Sequence, residues 1–100
     1  MRLTPEQIAA AVQIVYQCQG PNVDVRVYGS RLDDKRTGGD VDLLIVSPDP
    51  VSVWERAELK MQLEQSLQLP VDVLVYQQGR KPTAFQALAL AQSVALDHAA

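Results

Sequence analysis

The chain has 100 residues, the size of one domain, and we expect residues 1–100 to form a single folded unit. Hydrophobic residues make up 47% of the chain and charged residues 21%, a balance that excludes a disordered or fibrous protein. The net charge of −3 argues against binding of duplex DNA by the bulk surface, because no excess of cations is present to neutralise its phosphates.

The first part of the chain predicts a helix followed by a strand. Thr4 is a suitable helix cap, Pro5 suits the first helical position, and Gln7 is placed to return a hydrogen bond to the cap. Gly20, followed by proline, is expected to end this helix. From Val23 to Tyr28, valines alternate with polar or aromatic residues, which indicates a strand.

The middle of the chain predicts a loop, a second strand and a second helix. The polar run 31–39 suits a solvent-facing loop, and residues 40–46 are rich in branched apolar side chains typical of a strand. Ser52 and Glu55 form a second capping pattern. The helix face that we expect to be buried carries Leu59, Leu63 and Leu67.

The last part predicts a third strand over residues 71–76 and a final helix that starts at Pro82 and Thr83. One side of that helix is expected to carry Phe85, Leu88, Ala91 and Val94. The fold class is therefore α/β (α+β), with a small sheet of about three strands covered by helices. The element order leaves open which strands run parallel.

Cysteine content and hydropathy bear on where the protein works. The single cysteine, Cys18, excludes an internal disulfide and is interpreted as a buried structural thiol. The apolar stretch 8–15 is too short and too polar for a membrane span, and it lacks the layout of a signal peptide. We therefore expect a cytoplasmic protein with no membrane partner.

Three aspartates are the candidate functional residues. Residues two apart in a strand point the same way, so Asp40 and Asp42 should project from one face with Cα atoms about 6.6 Å apart. Asp72 has the same outward parity in the third strand and joins them if the two strands are neighbours. Carboxylates without a nearby histidine or cysteine are hard oxygen ligands, which favour magnesium.

Each feature has a simpler explanation when taken alone. An Asp-x-Asp pattern in a strand is commonly a solvated face, and a Gly-Ser pair after a strand is commonly a turn. Here they occur together: a strand ends in Gly29-Ser30, a cationic loop follows, Asp40-x-Asp42 opens the next strand, and Asp72 lies in a third. The combination favours a shared site.

This combination resembles the signature of the minimal nucleotidyltransferases, members of the polymerase-β-like nucleotidyltransferase superfamily, and the similarity spans most of the chain. The segments that carry it are Tyr28-Gly29-Ser30-Arg31, Asp40-Val41-Asp42-Leu43-Leu44 and Val71-Asp72-Val73-Leu74. The resemblance implies a polymerase-β-like fold and transfer of a nucleotidyl group from a nucleoside triphosphate, with ATP expected, to an acceptor hydroxyl. It also implies two magnesium ions as cofactors.

The resemblance also implies roles for individual residues. Asp40 and Asp42 would hold the two magnesium ions, and Asp72 would complete the acceptor-side metal and help to deprotonate the hydroxyl. Gly29 would let the backbone approach the triphosphate and Ser30 would bind a phosphate oxygen. Arg31 would neutralise phosphate charge, although a surface ion pair with Asp33 or Asp34 explains it equally well.

One segment departs from the family pattern. Relatives often continue the motif as Gly-Ser-Arg-Ala-Arg-Gly, whereas this chain has Leu32-Asp33-Asp34, which lacks the second arginine and the glycine. The three tyrosines and His98 belong to no recognisable constellation and are interpreted as structural or incidental.

Three functions remain in view. The first is an active nucleotidyltransferase. A chain of this length leaves no room for an acceptor-binding domain, so a partner or a second copy is expected to hold the acceptor. The resemblance implies that this partner is a HEPN-domain protein, which forms a toxin-antitoxin pair with the transferase. The altered segment instead favours a module that binds a partner and has weak or no catalysis. A third hypothesis is an antibiotic- or metabolite-modifying enzyme, although such relatives generally carry an additional domain.

Overall fold

The computed structural model describes residues 3–29 and 40–96 of the chain. Three helices lie in this part, α1 (Pro5–Gln19), α2 (Val53–Leu67) and α3 (Ala84–Gln92). Four strands accompany them, β1 (Asp24–Tyr28), β2 (Val41–Ser47), β3 (Val71–Gln77) and β4 (Val94–Ala95). No helix among these residues combines the length and the apolar character needed to cross a membrane.

The starts of the helices are fixed by local hydrogen bonds that the sequence encodes. At each start the cap hydroxyl accepts a backbone N–H three residues on, and the residue there returns a side-chain bond to the cap N–H. Such a cap is worth about 1 kcal/mol. The three pairs are Thr4 with Gln7, Ser52 with Glu55, and Thr83 with Gln86.

The sheet is mixed and has the order β3-β2-β1-β4. β1 and β2 pair antiparallel, whereas β2 and β3 pair parallel, because α2 forms the crossover that returns the chain to the same end of the sheet. The expected small sheet covered by helices is confirmed, and β4 adds a fourth strand to the three that were expected. The strand directions, which the sequence left open, bring the starts of β2 and β3 side by side.

The expectation that the final helix includes Val94 is wrong. α3 ends at Gln92, Ser93 is extended, and Val94 belongs to β4, where it pairs with Val27 of β1. Arg26 donates from Nε to the Ser93 hydroxyl at 2.6 Å, while that hydroxyl donates to a helix carbonyl at 2.9 Å. These bonds turn the chain out of the helix and onto the unpaired edge of β1, which helix periodicity alone does not reveal.

Helices pack against both faces of the sheet. On one face the valines of β1, β2 and β3 pack against α1 and α2, and the predicted leucine face of α2 is fully or nearly fully buried. Each such leucine stabilises the fold by about 1.5–3 kcal/mol. Cys18 packs at the margin of this core and is half-buried, not fully buried as expected. On the other face, Leu44 and Val46 lie beneath Ala89 of α3.

β3 forms an edge of the sheet, and helix side chains bond its outward backbone groups. Glu64 of α2 accepts from the N–H of Val71 at 2.9 Å, and Lys60 donates to the Val71 carbonyl at 2.5 Å. Gln86 of α3 donates to the carbonyl of Val75 at 3.1 Å. The backbone donor, followed by Lys60, lowers the pKa of Glu64. These bonds fix the start of β3 against α2.

Candidate active site

Asp42 and Asp72 lie next to each other on neighbouring strands. They are register partners in the parallel pair of β2 and β3, so their side chains project from the same face of the sheet. Adjacent strands are about 4.8 Å apart, which brings the two carboxyl groups within reach of one small ion. The condition that the sequence left open, that the second and third strands are neighbours, is therefore met.

Asp40 lies one residue before β2 and is exposed. Partial burial raises the pKa of Asp42, and the negative charges of Asp72 and then Asp40 raise it further. The negative charges of Asp40 and Asp72 thus oppose ionisation of the Asp42 carboxyl group. A cation at this point would remove the repulsion.

Gly29 ends β1 directly beside the Asp42 carboxylate. Its φ of 79° lies in the region that favours glycine, and a Cβ placed there would overlap Asp42 Oδ2 and lie 3.3 Å from Asp42 Cγ. A side chain at this position would therefore displace the carboxylate. The sequence suggested Gly29 for its approach to a triphosphate, and the structure shows in addition that its missing side chain makes room for Asp42.

Tyr28 completes the row across the sheet. It is the register partner of Asp42 in β1 and is only 8% exposed. Its ring meets Phe85 of α3 edge to face, with centroids 6.1 Å apart. Burial raises the pKa of the Tyr28 hydroxyl, and Asp42 and Asp72 raise it further. Tyr28, interpreted from the sequence as structural or incidental, thus forms part of the cleft lining together with Asp42 and Asp72.

These residues line an open cleft of about 710 Å³ between α2 and α3. The strands contribute Asp42 and Asp72 to its lining, α3 contributes the apolar Phe85 and Leu88, and α2 contributes Arg56 and Lys60. Sequence reasoning assigned none of these four helix residues to the site, and it placed Phe85 and Leu88 only on one side of the final helix. The two cations occur four apart on α2, a spacing equally common on solvated helices, so it carries no signal by itself.

The carboxylates of Asp42 and Asp72 suit magnesium, although they do not complete its coordination shell by themselves. In the described ranges, no three acidic, histidine or cysteine side chains are grouped so as to hold a metal ion unaided. Magnesium commonly uses one or two carboxylates and completes its shell with water and substrate phosphates, which fits the adjacent Asp42 and Asp72. The assignment of Asp40, Asp42 and Asp72 as metal ligands stays a prediction.

The remaining predicted site residues lie outside the described ranges. Ser30 and Arg31 directly follow Gly29, and the departing segment Leu32-Asp33-Asp34 comes after them. Their predicted roles in phosphate binding stay predictions.

Solved structures similar to this chain share its fold at low sequence identity. One is the structure of the tri-AMPylated Shewanella oneidensis HEPN toxin in complex with MNT antitoxin. Its matching chain has a TM-score of 0.70 and 17% identity, over 91% of this chain and 69% of that one. A toxin-antitoxin structure with AMP-PNP has a TM-score of 0.72 and 17% identity, over 89% and 71%. A structure provisionally described as a minimal nucleotidyltransferase has a TM-score of 0.65 and 22% identity, over 89% and 88%.

Sequence comparisons assign the family. No curated protein matches the chain significantly. The family model described as the nucleotidyltransferase domain matches residues 8–97, which include every described strand and the whole candidate site. The chain therefore belongs to the nucleotidyltransferase domain family.

Proposed function

We propose that this chain moves a nucleoside monophosphate, AMP from ATP, to an acceptor hydroxyl, with two magnesium ions bound by Asp40, Asp42 and Asp72. The observation that carries the proposal is the register pairing of Asp42 with Asp72 beside Gly29. Family membership supplies the reaction class.

Each site residue has a task in the proposed reaction. Bound magnesium would neutralise the phosphates and stabilise the entering and departing oxygens. Asp72 accepts the proton of the hydroxyl, whose oxygen attacks the α-phosphorus in line. The bond from that phosphorus to its bridging oxygen breaks, and pyrophosphate leaves. Gly29 lets the backbone approach the triphosphate, while Ser30 and Arg31 bind its oxygens.

A HEPN-domain protein is the proposed acceptor, in a cytoplasmic toxin-antitoxin pair. Support comes from the fold neighbours, one of which is an antitoxin in complex with its AMPylated HEPN toxin and another a toxin-antitoxin pair with AMP-PNP. A partner that carries the acceptor also accounts for a cleft that is open at the surface.

Transfer of label from α-labelled ATP to a co-expressed HEPN partner tests the proposal. The wild type is expected to label the partner only with magnesium present. Asp42→Asn should lower the rate by at least about 100-fold, because a metal-binding charge is lost. Asp49→Asn, an exposed carboxylate after β2, is the matched control and should retain full activity. Retained labelling by Asp42→Asn would contradict the metal role.

The alternative is a transferase-fold module that binds and neutralises its partner with weak or no catalysis. Leu32-Asp33-Asp34 favours it, because two negative charges follow the segment expected to bind phosphates. Calorimetric titration with ATP separates the two functions. The enzyme should bind ATP only when magnesium is present, whereas the module should show no metal-dependent binding.

A further inference from the structure

Two cations of α2 are held on either side of the Asp72 backbone. Arg56 Nη1 donates to the carbonyl of Val73 at 3.3 Å, and Lys60 Nζ donates to the carbonyl of Val71 at 2.5 Å. Val71 and Val73 are the chain neighbours of Asp72. Both positive groups are therefore anchored at the β3 edge of the sheet, against the backbone on either side of Asp72.

The two cations differ in how far their charge is neutralised. Lys60 pairs with Glu64 at 3.2 Å. Arg56 has no carboxylate partner among residues 3–29 and 40–96, and its guanidinium has five N–H donors, of which the bond to Val73 uses one. Arg56 thus presents a positive charge without an ion-pair partner in the described ranges, at the β3 edge of a chain whose net charge is −3.

The order of the strands separates two sides of the cleft. Gly29 lies at the end of β1, on one side of Asp42, and Asp72 with Arg56 lies on the other, because β2 runs between β1 and β3. If the triphosphate binds beside Gly29, as the proposed function requires, the β3 side remains for the acceptor. Arg56 is the unneutralised cation on that side.

On the β3 side the cleft adjoins a shallow depression on the surface of α2, and the two together are called the groove. The depression, of about 560 Å³, shares Ala57 and Lys60 with the cleft and extends to Gln68. Residues 53–68 of a helix cover about 22 Å, the length of six or seven extended residues and far more than a small hydroxyl compound needs. Val53, which is 69% exposed, offers apolar surface near the start of the helix. The length suits an extended polypeptide.

We propose that this groove binds an extended segment of the acceptor protein, in which a carboxylate side chain pairs with Arg56 and a nearby hydroxyl reaches Asp72. Guanidinium and carboxylate groups pair through two parallel hydrogen bonds, which fix orientation as well as affinity. The inference rests on the proposed function for the identity of the reaction, but the binding surface itself can be tested without any transfer.

Two fluorescein-labelled peptides of nine residues test the groove on the full chain. They are identical except that the positions flanking a single serine are aspartate in one and lysine in the other. Fluorescence anisotropy should give a Kd at least about tenfold lower for the aspartate peptide, and the difference should shrink in high salt. Arg56→Gln should raise the Kd of that peptide about fivefold, because a partly exposed charge pair is lost.

Two further variants keep the result interpretable. Arg56→Lys retains the charge and should retain part of the preference, whereas Arg80→Gln removes an exposed cation outside the cleft and should change neither Kd. An unchanged melting temperature of Arg56→Gln would show that any loss of affinity is local. The inference would be overturned by equal binding of both peptides, by no binding of either, or by an unchanged Kd of the aspartate peptide for Arg56→Gln. Displacement of the aspartate peptide by an oligoadenylate would also overturn it, because the groove would then bind nucleic acid.

Failure of the proposed function would look different. If the wild type prefers the aspartate peptide but binds no ATP with magnesium, the groove stands and the catalytic proposal fails. If it binds ATP with magnesium and Arg56→Gln leaves the peptide Kd unchanged, only the inference about the acceptor segment fails.

Discussion

Replacement of Asp42 by asparagine should make the metal-free fold more stable while it removes the proposed metal binding. The reason is the repulsion that raises the pKa of Asp42, which arises from Asp72 and Asp40 and adds to partial burial of the carboxyl group. Asparagine is nearly the same size and carries no charge. It therefore relieves the repulsion without opening a cavity.

The expected gain follows from the spacing of the two strands. Two unit charges about 5 Å apart repel by about 3 kcal/mol at an effective dielectric constant of 20 and by about 0.8 kcal/mol in water. Asp72 is exposed and Asp42 is only partly buried, so the value should lie near the aqueous limit, at about 1 kcal/mol. For a domain of this size, that corresponds to a rise in Tm of about 4–8 °C.

Urea unfolding followed by circular dichroism, in EDTA and in magnesium, measures both effects. In EDTA, Asp42→Asn should unfold at higher urea than the wild type. Magnesium should stabilise the wild type by RT ln(1 + [Mg²⁺]/Kd) and leave the variant unchanged. Asp49→Asn should match the wild type within about 0.5 kcal/mol. If Asp42→Asn were less stable than the wild type in EDTA, the electrostatic argument would be refuted.

Three more measurements test the packing and electrostatics around the site. Gly29→Ala should cost more stability than Gly79→Ala, by at least about 1 kcal/mol, because both glycines have positive φ but only at Gly29 would a Cβ meet Asp42; paired urea curves check this. Glu64→Gln should be less stable than the wild type near pH 7, and this difference in unfolding free energy should close as the pH falls below about 4.5. The reason is that a carboxyl group with a lowered pKa stabilises the fold only while it is ionised. Unfolding measured as a function of pH would contradict this if the difference widened in acid. Leu63→Ala should lose about 2–5 kcal/mol, because the side chain is fully buried between helix and sheet, and a smaller loss by calorimetry would mean that the core refills the space.

The helices and long strands could be predicted because their signals are local. A hydroxyl cap with a glutamine or glutamate three residues on, as at Thr4 and Ser52, needs no tertiary partner to be recognised. The alternation of valines in β1 and β3 fixes which side chains enter the core. The parity of Asp42 and Asp72 follows from the same alternation, so the candidate carboxylates were identifiable before the strands were placed.

What the sequence could not supply depends on contacts between distant residues. The short strand β4 exists because Arg26 holds Ser93, which lies 67 positions away. The parallel pairing of β2 with β3 is a property of the crossover, and Arg56 enters the cleft wall only because that crossover lays α2 along β3. No periodicity marks such a residue, since its role depends on the path of a separate strand.

The bonding of the β3 edge limits how this protein can associate. An exposed edge strand offers unpaired backbone groups on which a strand from another molecule can build, and such growth leads towards aggregation. Here Lys60, Glu64 and Gln86 already occupy several of these groups, and β4 at the far edge is only two residues long. Within residues 3–29 and 40–96, neither border of the sheet presents a long open template for strand addition. A binding partner would contact the helices and the mouth of the cleft before it contacted the backbone of an edge strand.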